Sequence, residues 1–237
     1  MEEGNTRKLR LLHTADVHME TVRDKGCRSL EALVSVAVKT EVDLIIIAGD
    51  FFDHNRVDNN LALFAIEQLK RLPVPAIILP GNHDCLVPDS VYLRPNLWEG
   101  LPNVSIIQNP EGETHSFPSL RAEVWGRPLM NYSGDVRPMA EAPRPNRKGY
   151  WHVAIAHGYF VDTEPPIFPS LHISHEEVST SGYDYVALGH WPNFRCVCPA
   201  PVVAYYCESP SWLFPNSTVN IVDFTEGQGV QVTRYPL

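Results

Sequence analysis

Residues 43–50 read Asp43-Leu-Ile-Ile-Ile-Ala-Gly-Asp50. Four apolar residues in a row, three of them β-branched, are the pattern of a strand buried on both faces. The run breaks at Gly49 and delivers a carboxylate at Asp50. A charged group at the C-terminal end of a buried strand stands where open α/β sheets place their ligands. Its two oxygens allow one carboxylate to bind two cations at once.

Upstream, residues 9–13 are a short apolar strand ending at Thr14-Ala-Asp16-Val-His18, and residues 30–38 carry apolar side chains at helical spacing. Asp16 taken alone is as readily a turn or cap carboxylate as a ligand. Downstream, Phe51-Phe-Asp53-His54 is a loop. Leu61, Phe64, Ala65, Ile66 and Leu69 then repeat with a helical period until Pro73 stops them. Residues 75–79 form a third apolar strand, ending at Pro80-Gly81-Asn82-His83-Asp84. Three strands separated by two helices, each strand ending in polar groups, predict a parallel sheet with a site at its C-terminal edge.

The second half changes character. Residues 104–107, 114–117 and 121–125 read as short strands. Residues 130–148 read as a long surface loop carrying Arg137, Arg144, Arg147 and Lys148. That loop is either simply solvated or a basic lip against an anionic substrate. A strand from residue 150 ends at His157-Gly158, and one over 183–188 ends at Gly189-His190; residues 202–206, 219–224 and 230–235 close the chain as strands. A second sheet stacked on the first is the expected architecture, in one domain spanning residues 1–237.

Composition bounds the surroundings. The 237 residues are 44% hydrophobic and 20% charged, ordinary for a soluble protein. The formal charge of -9 argues against broad non-specific binding to nucleic acid or anionic membrane, and bound divalent cations would offset part of it. No apolar run approaches the ~20 residues of a membrane span. The N-terminus, Met1-Glu-Glu-Gly-Asn-Thr-Arg-Lys, lacks the apolar core of a signal peptide. Five scattered cysteines fit a reducing cytoplasm. Cys196-Val-Cys198 on a strand would turn both thiols to one side, without zinc-pair spacing, and Cys85 reads as a packed small residue. His13, His54, His115, His152, His172 and His175 have no motif context, although His54 lies close to Asp50 in sequence.

Five strand ends thus carry Asp16 and His18, Asp50, Asn82 and His83, His157, and His190. Carboxylate, imidazole and amide oxygen together suit borderline divalent ions such as Mn, Fe or Zn. Asp16 and His18 alternate across one residue, so an extended backbone would turn both to one side. One ion could take Asp16, His18 and Asp50; a second could take Asp50, Asn82, His157 and His190. A carboxylate-bridged pair of ions is suited to phosphoester hydrolysis, orienting the phosphoryl group, offsetting its charge and activating a water.

Asp16-x-His18, Gly49-Asp50, Gly81-Asn82-His83-Asp84, His157-Gly158 and Gly189-His190 together resemble the ordered motifs of the calcineurin-like metallophosphoesterases, over residues 9–206. The resemblance implies a four-layer α/β/β/α sandwich of two stacked mixed sheets and a two-ion centre. It implies that His83 is no ligand but sits beside the phosphate with Asn82, either as a proton donor to the leaving oxygen or as a donor to the charged transition state, with Asp84 orienting its ring. Thr14-Ala-Asp16-Val-His18, Gly49-Asp50-Phe-Phe-Asp53 and Val203-Ala-Tyr-Tyr-Cys-Glu-Ser209-Pro210 look most like the SbcD-like DNA-repair exonuclease branch.

There are two departures from that branch. The family's last motif is Gly-His-x-His, whereas this chain has Gly189-His190-Trp191-Pro192, so the ion of Asp16, His18 and Asp50 lacks one protein ligand and is expected to bind more weakly. SbcD-like chains also continue into a capping domain and a segment that binds an SbcC-like ATPase. This sequence stops soon after its last core strand, so that partnership is not expected. The expected activity is phosphodiester hydrolysis on nucleotides or nucleic-acid ends. The alternatives are a phosphomonoesterase for a small metabolite and a non-catalytic binding module.

Overall fold

In the computed structural model, which describes residues 6–132, 136–162 and 171–237, the first half of the chain alternates strand and helix. The elements are β1 (Lys8–Thr14), α1 (Lys25–Lys39), β2 (Leu44–Ala48), α2 (Asn59–Leu69), β3 (Ala76–Leu79) and β4 (Val104–Ile106). Both helices start on an aspartate that satisfies an otherwise unpaired amide. The Asp24 carboxylate accepts from the Cys27 N–H at 2.7 Å, and that of Asp58 from the Leu61 N–H at 2.8 Å. Every residue of β2 is buried, which explains its lack of alternation. Ile45 and Ile47 pack with Leu30, Leu33 and Val34 of α1 and with Leu61 and Ala65 of α2. Leu44, Ile46 and Ala48 point the other way, into a second core.

The second half supplies β5 (Glu113–Phe117), β6 (Ala122–Gly126), β7 (Trp151–His157), β8 (Tyr159–Val161), β9 (His172–Ser174) and α3 (His175–Ser179). It continues with β10 (Tyr185–Gly189), β11 (Arg195–Cys198), β12 (Val203–Tyr206), β13 (Thr218–Thr225) and β14 (Gly229–Pro236). One six-stranded sheet has the order β14-β13-β1-β2-β3-β4, the other β11-β12-β10-β7-β6-β5. The inner strands β1 to β3 are mutually parallel, as are β6, β7, β10 and β12; β13, β5 and β11 run antiparallel to their neighbours. Ile46, Ile77, Val153, Ile155, Ala187 and Val222 share the core between the sheets. The outer face of the second sheet, with Trp125, Ala154, Val186 and Leu188, is covered by Val178 of α3 and by Met139 and Phe160. The result is α/β/β/α layering with a slender fourth layer.

Three readings of the sequence are corrected here. β8, β9 and α3 were not expected; at three to five residues each they are too short to carry a period. Cys196 and Cys198 do not share a side: the strand register shifts between them, leaving Cys196 exposed and Cys198 buried. Arg147 and Lys148 are not a lip over the site. They precede the start of β7, and His157 is its last residue, roughly 20 Å away at the rise of a strand. Arg147 instead pairs with Glu123 at 3.0 Å and lies over the Tyr150 ring. Residues 133–135 of that loop, 163–170 and the first five lie outside the described residues.

His13 on β1 is fully buried, with Nδ1 2.8 Å from the Tyr185 hydroxyl. Burial pushes its pKa down to about 3. The unfolded chain, with an ordinary imidazole, therefore binds a proton that the folded chain refuses. Its contribution is complete above pH 6.5 and is lost as the pH falls toward 3. Between pH 7 and 5 this removes about 2 kcal/mol. Urea unfolding at the two pH values should show a loss that is smaller by about that amount in His13→Leu than in wild type; an unchanged pH dependence in the variant would contradict this.

Candidate metal centre

The C-terminal ends of β1, β2, β3, β7 and β10 lie at one edge of the two sheets. Beyond β1 and β2 the two loops stay zipped: the Asp16 N–H donates to the Gly49 carbonyl at 3.0 Å, and the His18 N–H to that of Asp50 at 3.0 Å. Asp16, His18, Asp50 and His190 all have left-handed backbones, with φ of 55°, 48°, 50° and 93°. Such conformations cost about 1–3 kcal/mol each for non-glycine residues and persist only where their surroundings enforce them. Asp16 and His18 therefore reach the same place through two left-handed turns, and not along an extended backbone as expected. Two glycines permit the convergence. A Cβ on Gly49, at φ 92°, would run into the His157 ring, and one on Gly81 into the Asp50 carboxylate.

The six side chains expected as ligands lie together, in two groups that share Asp50. In one, His18 Nε2 is 3.9 Å from Asp16 Oδ1 and 3.9 Å from Asp50 Oδ2. In the other, His157 Nε2 is 3.2 Å from the same Asp50 Oδ2, and Asn82 Oδ1 is 2.9 Å from both His157 Nε2 and His190 Nδ1. One carboxylate oxygen thus faces both groups. Its partner, Oδ1, accepts the His83 backbone N–H at 2.9 Å, so Asp50 does not offer one oxygen to each group as its formula allows. Asp16 is held by the His190 N–H, 3.0 Å from its Oδ2, and its carbonyl accepts the Ser209 hydroxyl at 2.7 Å. His54 belongs to neither group.

The charges are strongly coupled. Burial pushes the Asp16 carboxyl up to about 6. Burial also opposes ionisation of Asp50, but His157, His18 and His83 outweigh it and hold that carboxyl well below the usual range. His157 is fully buried, yet Asp50 and Asp16 push its pKa up to about 9. Burial and the neighbouring His157 charge lower His190 to about 3. A proton on His157 thus compensates Asp50 where a cation would otherwise do so.

His83 and Asp84 separate in role. The His83 ring is 4.7 Å from that of His18, edge to face. Its Nδ1–H donates to the Asp53 carbonyl at 2.7 Å, and His18 Nδ1–H donates to Asp53 Oδ1 at 2.9 Å. Asp53, absent from the expected site, therefore orients both rings. Its signal was available in Gly49-Asp50-Phe-Phe-Asp53, but nothing in the sequence tied it to His18. Asp84 does not orient His83, contrary to expectation. Fully buried, it accepts the Phe51, Phe52 and Gly81 amides at 2.8–3.0 Å and the Tyr92 hydroxyl at 2.6 Å. It pins the Asp50 loop to the loop after β3. Cys85 is buried with Leu129 and Leu171, and burial pushes its thiol up to about 11, so it packs.

The donor sets fit divalent ions. His157 Nδ1–H is committed to the Ala48 carbonyl at 2.9 Å, and His18 Nδ1–H to Asp53, so both Nε2 atoms face the shared carboxylate. Donor atoms about 2.1 Å from an ion and at right angles stand ~3.0 Å apart. The second group, at 2.9–3.2 Å, already has that spacing.

The profile of the calcineurin-like phosphoesterase domain matches residues 9–194. The chain belongs to that family. The calcineurin-like phosphoesterases are hydrolases of phosphoester bonds that use divalent metals. The "Uncharacterized metallophosphoesterase YhaO" of Bacillus subtilis is 28% identical over 89% of this chain and 53% of its own length. The "DNA double-strand break repair protein Mre11" of Methanopyrus kandleri is 25% identical over 77% of this chain and 44% of its own. Its namesake from Saccharolobus solfataricus is 35% identical over 42% of this chain and 29% of its own. The chain thus spans about half the length of the first two. Two solved structures share the fold. TT1561 of Thermus thermophilus has a TM-score of 0.62 at 12% identity, covering 95% of this chain and 98% of that one. Purple acid phosphatase PPD1 from yellow lupin seeds has 0.57 at 11%, covering 97% and 51%. No helix among the described residues is long and apolar enough to cross a membrane.

Asp84 and Asp53 make opposite predictions. Asp84→Ala strands four buried donors and should lower stability by about 3 kcal/mol or more in urea unfolding. Asp53→Ala should leave stability within ~1 kcal/mol of wild type but weaken Mn binding roughly 10- to 100-fold by calorimetry. Equal effects of the two variants on both measurements would contradict this division.

Proposed function

We propose that this chain hydrolyses phosphodiesters of nucleotides or nucleic-acid ends, using two divalent ions that share Asp50. The carrying observation is that one oxygen, Asp50 Oδ2, lies 3.2 Å from His157 Nε2 and 3.9 Å from His18 Nε2 and so faces two donor groups. Asp16, His18 and Asp50 would hold the first ion, and Asp50, Asn82, His157 and His190 the second. Mn is the proposed ion, with Fe or Zn as alternatives. When bound, the ions supply charge against the phosphoryl oxygens and lower the pKa of a water. Two relatives named for DNA double-strand break repair support a nucleic-acid substrate. All five cysteines are unpaired, which supports a reducing cytoplasm.

The protein's own groups then have separate tasks. Asp53 holds the His83 ring through Nδ1, which leaves Nε2 to bring a proton to the departing oxygen. The Asn82 amide oxygen fixes the spacing of His157 and His190. Pro192 leaves the first group with three residues against four in the second. Its carbonyl accepts the Ser209 N–H at 2.9 Å, an interaction that any residue at this position could make. The first ion should therefore bind more weakly, and Pro192→His should raise turnover at limiting Mn. Two ions retained equally after dialysis, or an unchanged Mn dependence in the variant, would contradict the asymmetry.

The activity is tested with added Mn on bis-p-nitrophenyl phosphate against p-nitrophenyl phosphate. The diester should be preferred, and Asp50→Asn should lower its turnover by roughly a hundredfold or more. Preference for the monoester would indicate a phosphomonoesterase. No turnover by wild type or Asp50→Asn with any divalent ion would indicate a binding module.

A further inference from the structure

Exposed aromatic rings flank the candidate centre on both sides. Beside His190, the Tyr159 ring stands perpendicular to the imidazole with centroids 4.2 Å apart, and Trp191 lies 6.5 Å beyond it. The two keep 37% and 39% of their surface exposed. On the His83 side Tyr132 is 62% exposed, and its hydroxyl accepts from Asn55 Nδ2 at 3.2 Å. The same Nδ2 donates to the carbonyl of Cys85, two residues beyond His83, at 2.8 Å.

Tyr159 and Tyr132 stand on held supports. The Tyr159 N–H donates to the Leu171 carbonyl at 2.9 Å, and the Phe160 N–H to the Tyr206 hydroxyl at 2.7 Å. Asn55 is buried, and its Oδ1 accepts from the Ser90 hydroxyl at 3.1 Å and the Val91 N–H at 3.0 Å. Held rings with open faces present large apolar area at little cost in conformational entropy on binding.

Electrostatics narrows what could use them. The chain carries -9, and two of its arginines are already paired: Arg195 with Asp162 at 3.0 Å and Arg137 with Glu177 at 3.1 Å. A long duplex is held mainly by cations on its phosphates, and the chain's net charge of -9 disfavours that mode. Stacking on aromatic faces needs unpaired bases and no basic surface.

We propose that Tyr159 and Trp191 on one side, and Tyr132 on the other, stack the bases flanking the scissile phosphate. The substrate is then a short single-stranded oligonucleotide, cut between two bases. This rests on the phosphodiesterase reading above.

Calorimetry without added metal, in EDTA, separates binding from turnover. The probes are an unlabelled thymidine tetranucleotide and its abasic counterpart. The tetranucleotide should bind more tightly. Tyr159→Ala, Trp191→Ala and Tyr132→Ala should each weaken its binding roughly 5- to 150-fold, the effect of one stacked base. The same variants should leave abasic binding unchanged, and Tyr159→Phe should retain tetranucleotide binding. Affinity should change less than about tenfold between 50 and 200 mM salt. Equal affinity for both probes, or alanine variants without effect, would overturn the stacking role. So would tighter, strongly salt-dependent binding of a duplex. Turnover of bis-p-nitrophenyl phosphate persisting in any of those outcomes would show that only the stacking proposal has failed.

Discussion

Asp50 is a carboxylate with 2% of its surface exposed, and it is held ionised. Burying such a charge without compensation costs several kcal/mol, so its surroundings must supply positive charge or hydrogen bonds. The His83 amide serves Oδ1, and two imidazoles face Oδ2, His157 at 3.2 Å and His18 at 3.9 Å. The imidazolium of His157 compensates the charge in the protein alone. It sits where a divalent ion would compensate the charge more fully. The remaining geometry follows from assembling donors around that one oxygen.

The fold provides the assembly by bringing strand tips together. Parallel strands in two sheets end at one edge, so residues 16, 50, 82, 157 and 190, distant in sequence, meet within a few ångströms. Convergence at that density strains the backbone: four of the six candidate ligands sit in left-handed conformations. Two features offset the strain. The buried carboxylate of Asp84 collects four donors from three segments, and the amides of Asp16 and His18 zip one loop to the next. Asp53 works at a finer scale, setting which nitrogen of His18 and of His83 is free.

Much of this was legible in the residues themselves. The run at 44–47 announced a strand buried on both faces, and the polar groups after each apolar run marked the shared edge. The family was legible because its motifs are local in sequence: Gly81-Asn82-His83-Asp84 is contiguous. What was not legible depends on relations between segments. Asp84 and Asp53 differ only in which neighbours they face, and sequence does not show that, so the orienting role went to the wrong carboxylate. The left-handed turns at Asp16 and His18 were missed because alternation along a strand gives the same side for both. Short elements such as β8 and α3, and the register shift at Cys196, depend on tertiary packing and leave no period to read.

The most direct test is a crystal structure with Mn bound, phased at the metal edge. Ions that share Asp50 require two anomalous peaks roughly 3.5–4 Å apart, with Asp50 Oδ2 bonded to both. A single peak, or two peaks of which only one touches Asp50, would contradict a shared carboxylate.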